Sequence, residues 1–267
     1  MVVLLIVGAV LVLGVPAAMY FAQDSLLFLP QLATAAPAAT RVPRRVEELE
    51  FAAPDGVTLR GWLVRSGADP APLLVYFGGN AENVAWQALE PWPEDWSLAL
   101  VHFRGYGTSE GKPSERALCA DAELVVDRLA QRPDVDAARI VLVGRSLGTG
   151  VAICVAARRP VRGVLLISPY DSMVAIGQRH YPFLPVGWLL KHPFDSLSRA
   201  GAIDVPLLAI VGARDSIVPP ENSRRLHDAW GGPKRWVEIP AADHNDLGPQ
   251  PAFWESIRGF LAQARGT

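Results

Sequence analysis

The sequence predicts an α/β protein with a mainly parallel central sheet and helices on both faces, and three observations support it. Short, nearly continuous apolar runs at 73–77, 98–103, 140–143, 164–167, 207–211 and 236–239 suit strands covered on both sides. Helical patterns at 82–89, 114–131, 147–158, 221–230 and 252–264 fall between or after them, the alternation expected of a layered α/β sheet. Ahead of these, 46–51 and 57–64 flank the turn signal Pro54-Asp55-Gly56 and are expected to form an antiparallel hairpin. With 267 residues, half of them hydrophobic, one domain can bury a full core, here assigned to 46–267.

Before the domain, residues 2–21 carry no charged side chain and as a helix would span about 30 Å, the thickness of a bilayer's hydrocarbon core. No basic n-region precedes this stretch, and the cleavage-site candidates around Val15-Pro16-Ala17 are poor. Residues 1–30 are therefore expected to be an uncleaved single-pass membrane anchor, followed by a linker over 31–45 whose Ala, Pro and Thr content breaks secondary structure. Arg41, Arg44 and Arg45 lie at the limit of the positive-inside rule's reach and lean toward a cytoplasmic domain, which leaves the side of the membrane open.

The net charge of -2, from 25 basic and 27 acidic residues without a long run of either sign, gives no footprint for nucleic acid. Cys119 and Cys154 form no CxxC and are too few for a disulfide framework or a cysteine zinc site, so Cys154 is expected to be a buried thiol. No metal or organic cofactor is called for.

The pattern G-x-S-x-G occurs twice, around Ser109 and around Ser146. A nucleophile elbow needs a strand running into a sharp turn and then a helix, so that the serine projects at the sheet's carboxyl end. Ser146 has that setting, with the apolar run 140–143 before it and small residues from Gly148 to Gly150 after it. Ser109 instead lies in a glycine-rich stretch that soon meets Pro113, and is a loop serine.

A serine hydroxyl needs a base, and histidine titrates in the useful range. Of five histidines, His244 alone follows the last strand, in the turn Ala242-Asp243-His244-Asn245-Asp246. His102 lies in an apolar strand, His227 on an amphipathic helix as a surface residue, and His180 and His192 in the interval 171–204. The acid should fall between Ser and His in the chain. Asp215, just past the run 207–211, fits, and Asp171 is its rival one strand earlier.

The oxyanion of acyl transfer needs backbone N–H donors, one from the residue after the nucleophile, Leu147, and one from the loop after the third strand. Gly78-Gly79-Asn80-Ala81 begins directly after 73–77, so Asn80 is the second candidate, with Gly79 letting the backbone approach substrate; Asn80 could also cap the next helix. Residues 171–204 exceed an ordinary αβ connection and are rich in Pro, His and aromatics, which suggests a small lid. Its Tyr181, Phe183 and Trp188 are candidate substrate contacts; the alternative is that the cluster only closes the core.

These segments together resemble the α/β-hydrolase superfamily, in particular its membrane-anchored serine hydrolases, the branch of acyl-thioesterases, lysophospholipases and monoacylglycerol lipases. The resemblance is carried by residues 75–83, by 103–111, by Gly144-Arg145-Ser146-Leu147-Gly148, by 212–219 and by Asp243-His244-Asn245-Asp246, and extends to 20–30. Many members of that branch have His at the place of Gly78 and Gly at that of Asp243, which here sets a carboxylate next to the imidazole. The expectation is a serine hydrolase that cleaves small-molecule or lipid acyl esters or thioesters through an acyl-enzyme. The alternatives are a serine peptidase on the same triad and a non-catalytic membrane-bound binding or scaffold protein.

Overall fold

All eight expected strands form one sheet in the computed structural model, which describes residues 14–33, 42 and 44–266. They are β1 (Val46–Ala52), β2 (Thr58–Val64), β3 (Ala71–Phe77), β4 (Ser97–Val101), β5 (Val135–Arg145), β6 (Gly163–Ile167), β7 (Leu207–Gly212) and β8 (Lys234–Ile239). Their order is β1-β2-β4-β3-β5-β6-β7-β8. The hairpin β1/β2 and the β2/β4 pair are antiparallel, and every later pairing is parallel. The carboxyl ends of β3, β5, β6, β7 and β8 therefore lie along one edge.

Side chains alternate between two cores, as the period of two along a strand requires. On β3, Leu73, Val75 and Phe77 face one core while Leu74 and Tyr76 face the other. Helices α2 (Glu115–Ala130), α3 (Leu147–Ala156) and α7 (Pro220–Ala229) cover the first face, through Leu118, Val151 and Leu226 among others. The second face is closed by α8 (Pro251–Arg265) through Phe253, Ile257 and Phe260, with Val84, Trp92 and Trp96 beside it.

Three sequence expectations change. Where a helix was expected over 82–89, a 3-10 helix runs only over Val84–Leu89, because Asn83 caps it late by accepting from Ala85 N–H while the Glu82 carboxylate turns back onto Gly79. Cys154 is not a free thiol. It pairs with Cys119, since packing of α2 on α3 leaves the two Cα atoms 5.8 Å apart, within disulfide range. Finally, β5 starts at Val135, ahead of its apolar stretch, through a polar and partly exposed first half.

Residues 171–204 form three short helices, α4 (Met173–His180), α5 (Val186–Leu189) and α6 (Leu197–Ala200). Against them lies α1 (Val15–Leu27), whose Gln23 side chain donates to Leu189 O and accepts from Lys191 N–H. Phe28 and Ala33 are buried in the first core, so the segment expected to lead from anchor into linker is packed onto the domain. Most of the expected anchor over 2–21 lies outside the described residues. Among the described residues, no helix is long and apolar enough to cross a membrane.

Candidate active site

β5 delivers Ser146 into a sharp turn at φ 50° and ψ −117°, a left-handed conformation that costs a non-glycine residue about 1–3 kcal/mol. The neighbours hold it there. Ser146 N–H donates to Ile167 O at 2.9 Å, and Thr149 donates to Ser146 O through both its amide and its hydroxyl. Gly144 and Gly148 permit the turn: a Cβ at Gly144 would lie 2.6 Å from Gly148 O, and one at Gly148 2.0 Å from Phe77 O.

The structure brings the three sequence-nominated residues into one hydrogen-bonded chain. Ser146 Oγ is 2.9 Å from His244 Nε2, and His244 Nδ1 is 2.8 Å from Asp215 Oδ2. Asp215 is buried, and its other oxygen accepts from the Ile217 and Val218 amides at 3.0 and 2.7 Å, which fixes the carboxylate plane. Such a chain can take a proton from a serine hydroxyl and stabilise the resulting imidazolium.

The rivals are occupied elsewhere. Asp171 accepts from Asn222, Arg225 and the Ser172 amide, tying the start of the 171–204 excursion to α7. Ser109 bridges the Arg60 amide and His102 O. His102 is packed under Gly107 and beside Trp62, with burial lowering it to about 4. His180 meets Ile217 O, His192 meets Asp24, and His227, expected at the surface, is half-buried against Trp236.

Leu147 opens α3, and the loop after β3 passes close to the serine, for a Cβ at Gly79 would lie 3.5 Å from Ser146 Cβ. Asn80 does not cap the helix that follows; that place belongs to Asn83. Its Oδ1 instead accepts from Leu29 N–H and from the Tyr106 hydroxyl, both at 3.0 Å.

Sequence reasoning missed a polar network around Glu82. Its carboxylate accepts from Gly79 N–H at 2.7 Å, Arg145 Nη1 at 3.1 Å, and the Tyr76 hydroxyl and Gln87 amide at 2.9 Å each. Arg145 Nη2 then donates to Asn245 Oδ1 at 2.8 Å, so the loop after β3, the serine turn and the histidine turn are linked. Burial is the largest single influence on Arg145 and opposes its charge, but Glu82, Tyr76 and Asp215 together outweigh it and hold the guanidinium more firmly protonated than usual. The available signal was a charged pair, Glu82 and Arg145, at the ends of two buried strands. Asp243, expected beside the imidazole, has a structural role that the sequence left open. Its carboxylate engages the turn's backbone, accepting from Ser216 N–H and His244 N–H, which hold it below the usual carboxylate range, and from the Ser216 hydroxyl.

Two depressions bear on the site, of which the second reaches His244. An apolar groove of about 420 Å³ runs between α1 and the 171–204 excursion, lined by Tyr20, Leu26, Ile176, Tyr181, Leu184 and Leu189 among others. A second cleft of about 280 Å³ is lined by His244, Arg145, Tyr76 and Trp92 among others. Ser146 lines neither, so the groove's size is no argument for chemistry. Of the candidate substrate contacts, only Tyr181 faces the groove; Phe183 and Trp188 stand 75% and 92% exposed, because Leu184 and Val186 are the residues that turn inward.

The family profile of serine hydrolases matches residues 112–263, more than half of the chain and inclusive of all three members of the hydrogen-bonded chain. The chain belongs to the serine hydrolase family. An uncharacterized protein of Mycobacterium tuberculosis is 35% identical, covering 94% of this chain and 91% of its own length. An uncharacterized membrane protein of Saccharomyces cerevisiae is 30% identical over 81% of this chain and 80% of its own. Among solved structures, an esterase of Pyrococcus furiosus superimposes with a TM-score of 0.66 at 22% identity, covering 86% of this chain and 94% of that one. The sheet, its order and this likeness make the serine hydrolase an α/β-hydrolase in fold.

Proposed function

We propose that this serine hydrolase cleaves carboxylic ester or thioester bonds of acyl, lipid-like substrates through an acyl-enzyme. Ser146 is the nucleophile, His244 the base and then the acid, and Asp215 the group that orients the imidazole. The observation that chiefly supports this is the unbroken relay from Ser146 Oγ through His244 to buried Asp215, at 2.9 and 2.8 Å. As Ser146 Oγ bonds to the acyl carbon, its proton passes to His244 Nε2, and the Leu147 and Asn80 amides receive the oxyanion. Collapse breaks the bond to the alcohol or thiol, which leaves with the proton from His244. Water then attacks the acyl-enzyme by the same route and releases the acid.

The apolar groove supports an acyl chain as the substrate's tail, with Tyr181 among its walls. Association with a membrane is supported by the uncharged stretch 2–21, by the yeast relative being described as a membrane protein, and by exposed Phe21, Leu26, Phe183 and Trp188 around the groove's surroundings. Purified protein assayed on p-nitrophenyl esters from acetate to laurate, and on the matching acyl thioesters, tests the substrate class. A rise in kcat/KM with chain length is expected; cleavage of peptides with inert esters would contradict it. Retention in the membrane fraction through carbonate washing tests the anchor.

A further inference from the structure

Helix α1 and the chain after it touch the proposed oxyanion loop. Gln23 is clasped by Leu189 O and Lys191 N–H, Asp24 meets His192, and Phe28 is buried against His192 and Phe194. This fixes where the next residue points. Leu29 N–H donates to Asn80 Oδ1 at 3.0 Å and more weakly to the Tyr106 hydroxyl at 3.3 Å, while the Tyr106 hydroxyl donates to the same Asn80 oxygen. Tyr106 is itself immobilised in the core beside Phe103, and the adjoining Arg104 is held by Asp121 and Asp55.

We propose that the strap at residues 28–33, with Tyr106, positions the oxyanion loop by gripping the Asn80 side chain. The proposal builds on the reading of the Asn80 amide as an oxyanion donor. The physical argument is one of orientation. An amide donor stabilises a developing charge only when it is aimed before the reaction, and removing such a donor altogether costs about 10²–10³ in kcat. Within the loop, the peptide plane that carries the Asn80 N–H is held by the long turn bond from Glu82 N–H to Gly79 O at 3.3 Å, with glycines before Asn80 and Ala81, at φ 62°, after it, so a further restraint sharpens its aim. The two hydrogen bonds to Oδ1 supply that restraint from outside the loop. Burial pushes Tyr106 up to about 12, so its hydroxyl keeps the donated proton at any working pH. The N-terminal segment is then a part of the acyl-transfer apparatus as well as a route to the membrane.

The test uses the full chain in detergent micelles, with Tyr106→Phe, Phe28→Ala and, as control, Leu32→Ser at an exposed strap position. Hydrogen exchange of the amides at 78–82 should quicken at least tenfold in the first two variants and not in the control. On p-nitrophenyl butyrate, kcat should fall about tenfold in Tyr106→Phe with KM within twofold, and binding of a trifluoromethyl ketone, whose adduct carries an oxyanion, should weaken to match. Unchanged exchange in both variants overturns the brace. Faster exchange with undiminished kcat and ketone affinity overturns the link to the oxyanion. Should the wild type fail to react at Ser146, the proposed function falls, and exchange alone still decides whether the strap holds Asn80. Tyr106→Phe is nearly isosteric, so a failure of Phe28→Ala to fold leaves the decision intact.

Discussion

Glu82 and Arg145 meet at 3.1 Å, joining the loop after β3 to the residue that precedes Ser146. Two of the three turns around the site thus share one ion pair, and Asn245 adds the third. Glu82→Gln should destabilise the fold by about 2 kcal/mol, less than the ~3–5 kcal/mol of a fully buried pair, because Arg145 keeps 24% of its side chain exposed. The same change should lower kcat about tenfold by loosening Gly79. Urea denaturation of Glu82→Gln, Arg145→Met and the double variant checks this: the double should lose less than the sum of the singles. Strict additivity would mean that the pair does not act as a unit.

Asp215→Asn should cost about 10⁴ in kcat by favouring the wrong imidazole tautomer. Asp171→Asn should leave kcat nearly intact and lower Tm, since Asp171 ties the 171–204 excursion to Arg225 and Asn222. Steady-state kinetics beside thermal melts separates the two, and a reversal would move the acid to the earlier strand.

His102 carries a pH dependence of stability. Burial lowers its pKa from 6.5 to about 4, so the unfolded chain takes up the proton first as pH falls. The sign follows: stability contributed by the neutral ring is fully present above 6.5, declines below it, and is lost as pH passes about 4, an effect of about 3 kcal/mol. In His102→Gln the decline in unfolding free energy between pH 7 and pH 4 should be smaller by about that amount. An identical decline in both proteins would show that other groups set the acid limb.

The groove makes a separate prediction about chain length. Ile176→Trp should fill it and shift preference toward short esters, lowering kcat/KM for laurate at least tenfold relative to butyrate. Trp188→Ala should change neither the profile nor the melting temperature much, as its ring is 92% exposed. If Trp188→Ala flattened the profile instead, the acyl chain would be running over the outer face of α5.

Much of this was legible in the sequence, and the pattern of what was not is physical. Strands such as 73–77 and 207–211 announced themselves because burial on both faces forces continuous apolar runs. Ser146, Asp215 and His244 each follow such a run, and parallel pairing brings those ends to one edge, which is why their meeting was legible. The reach of the Glu82 network was hidden because its links to Arg145 and on to Asn245 span 63 and 100 residues and no local pattern marks a pairwise contact. The same holds for Cys119 and Cys154, which only the packing of α2 on α3 brings together, and for Leu29 on Asn80. In 171–204 the aromatics were visible, but which of them face inward depends on short helices whose phase the sequence does not set.

The most direct test of the central claim is covalent labelling of the full chain with a fluorophosphonate, followed by peptide mapping. A single adduct on Ser146 is predicted, abolished by Ser146→Ala together with about 10⁶ of kcat and undisturbed by Ser109→Ala. Labelling that persists in Ser146→Ala, or maps to any other residue, would contradict the account.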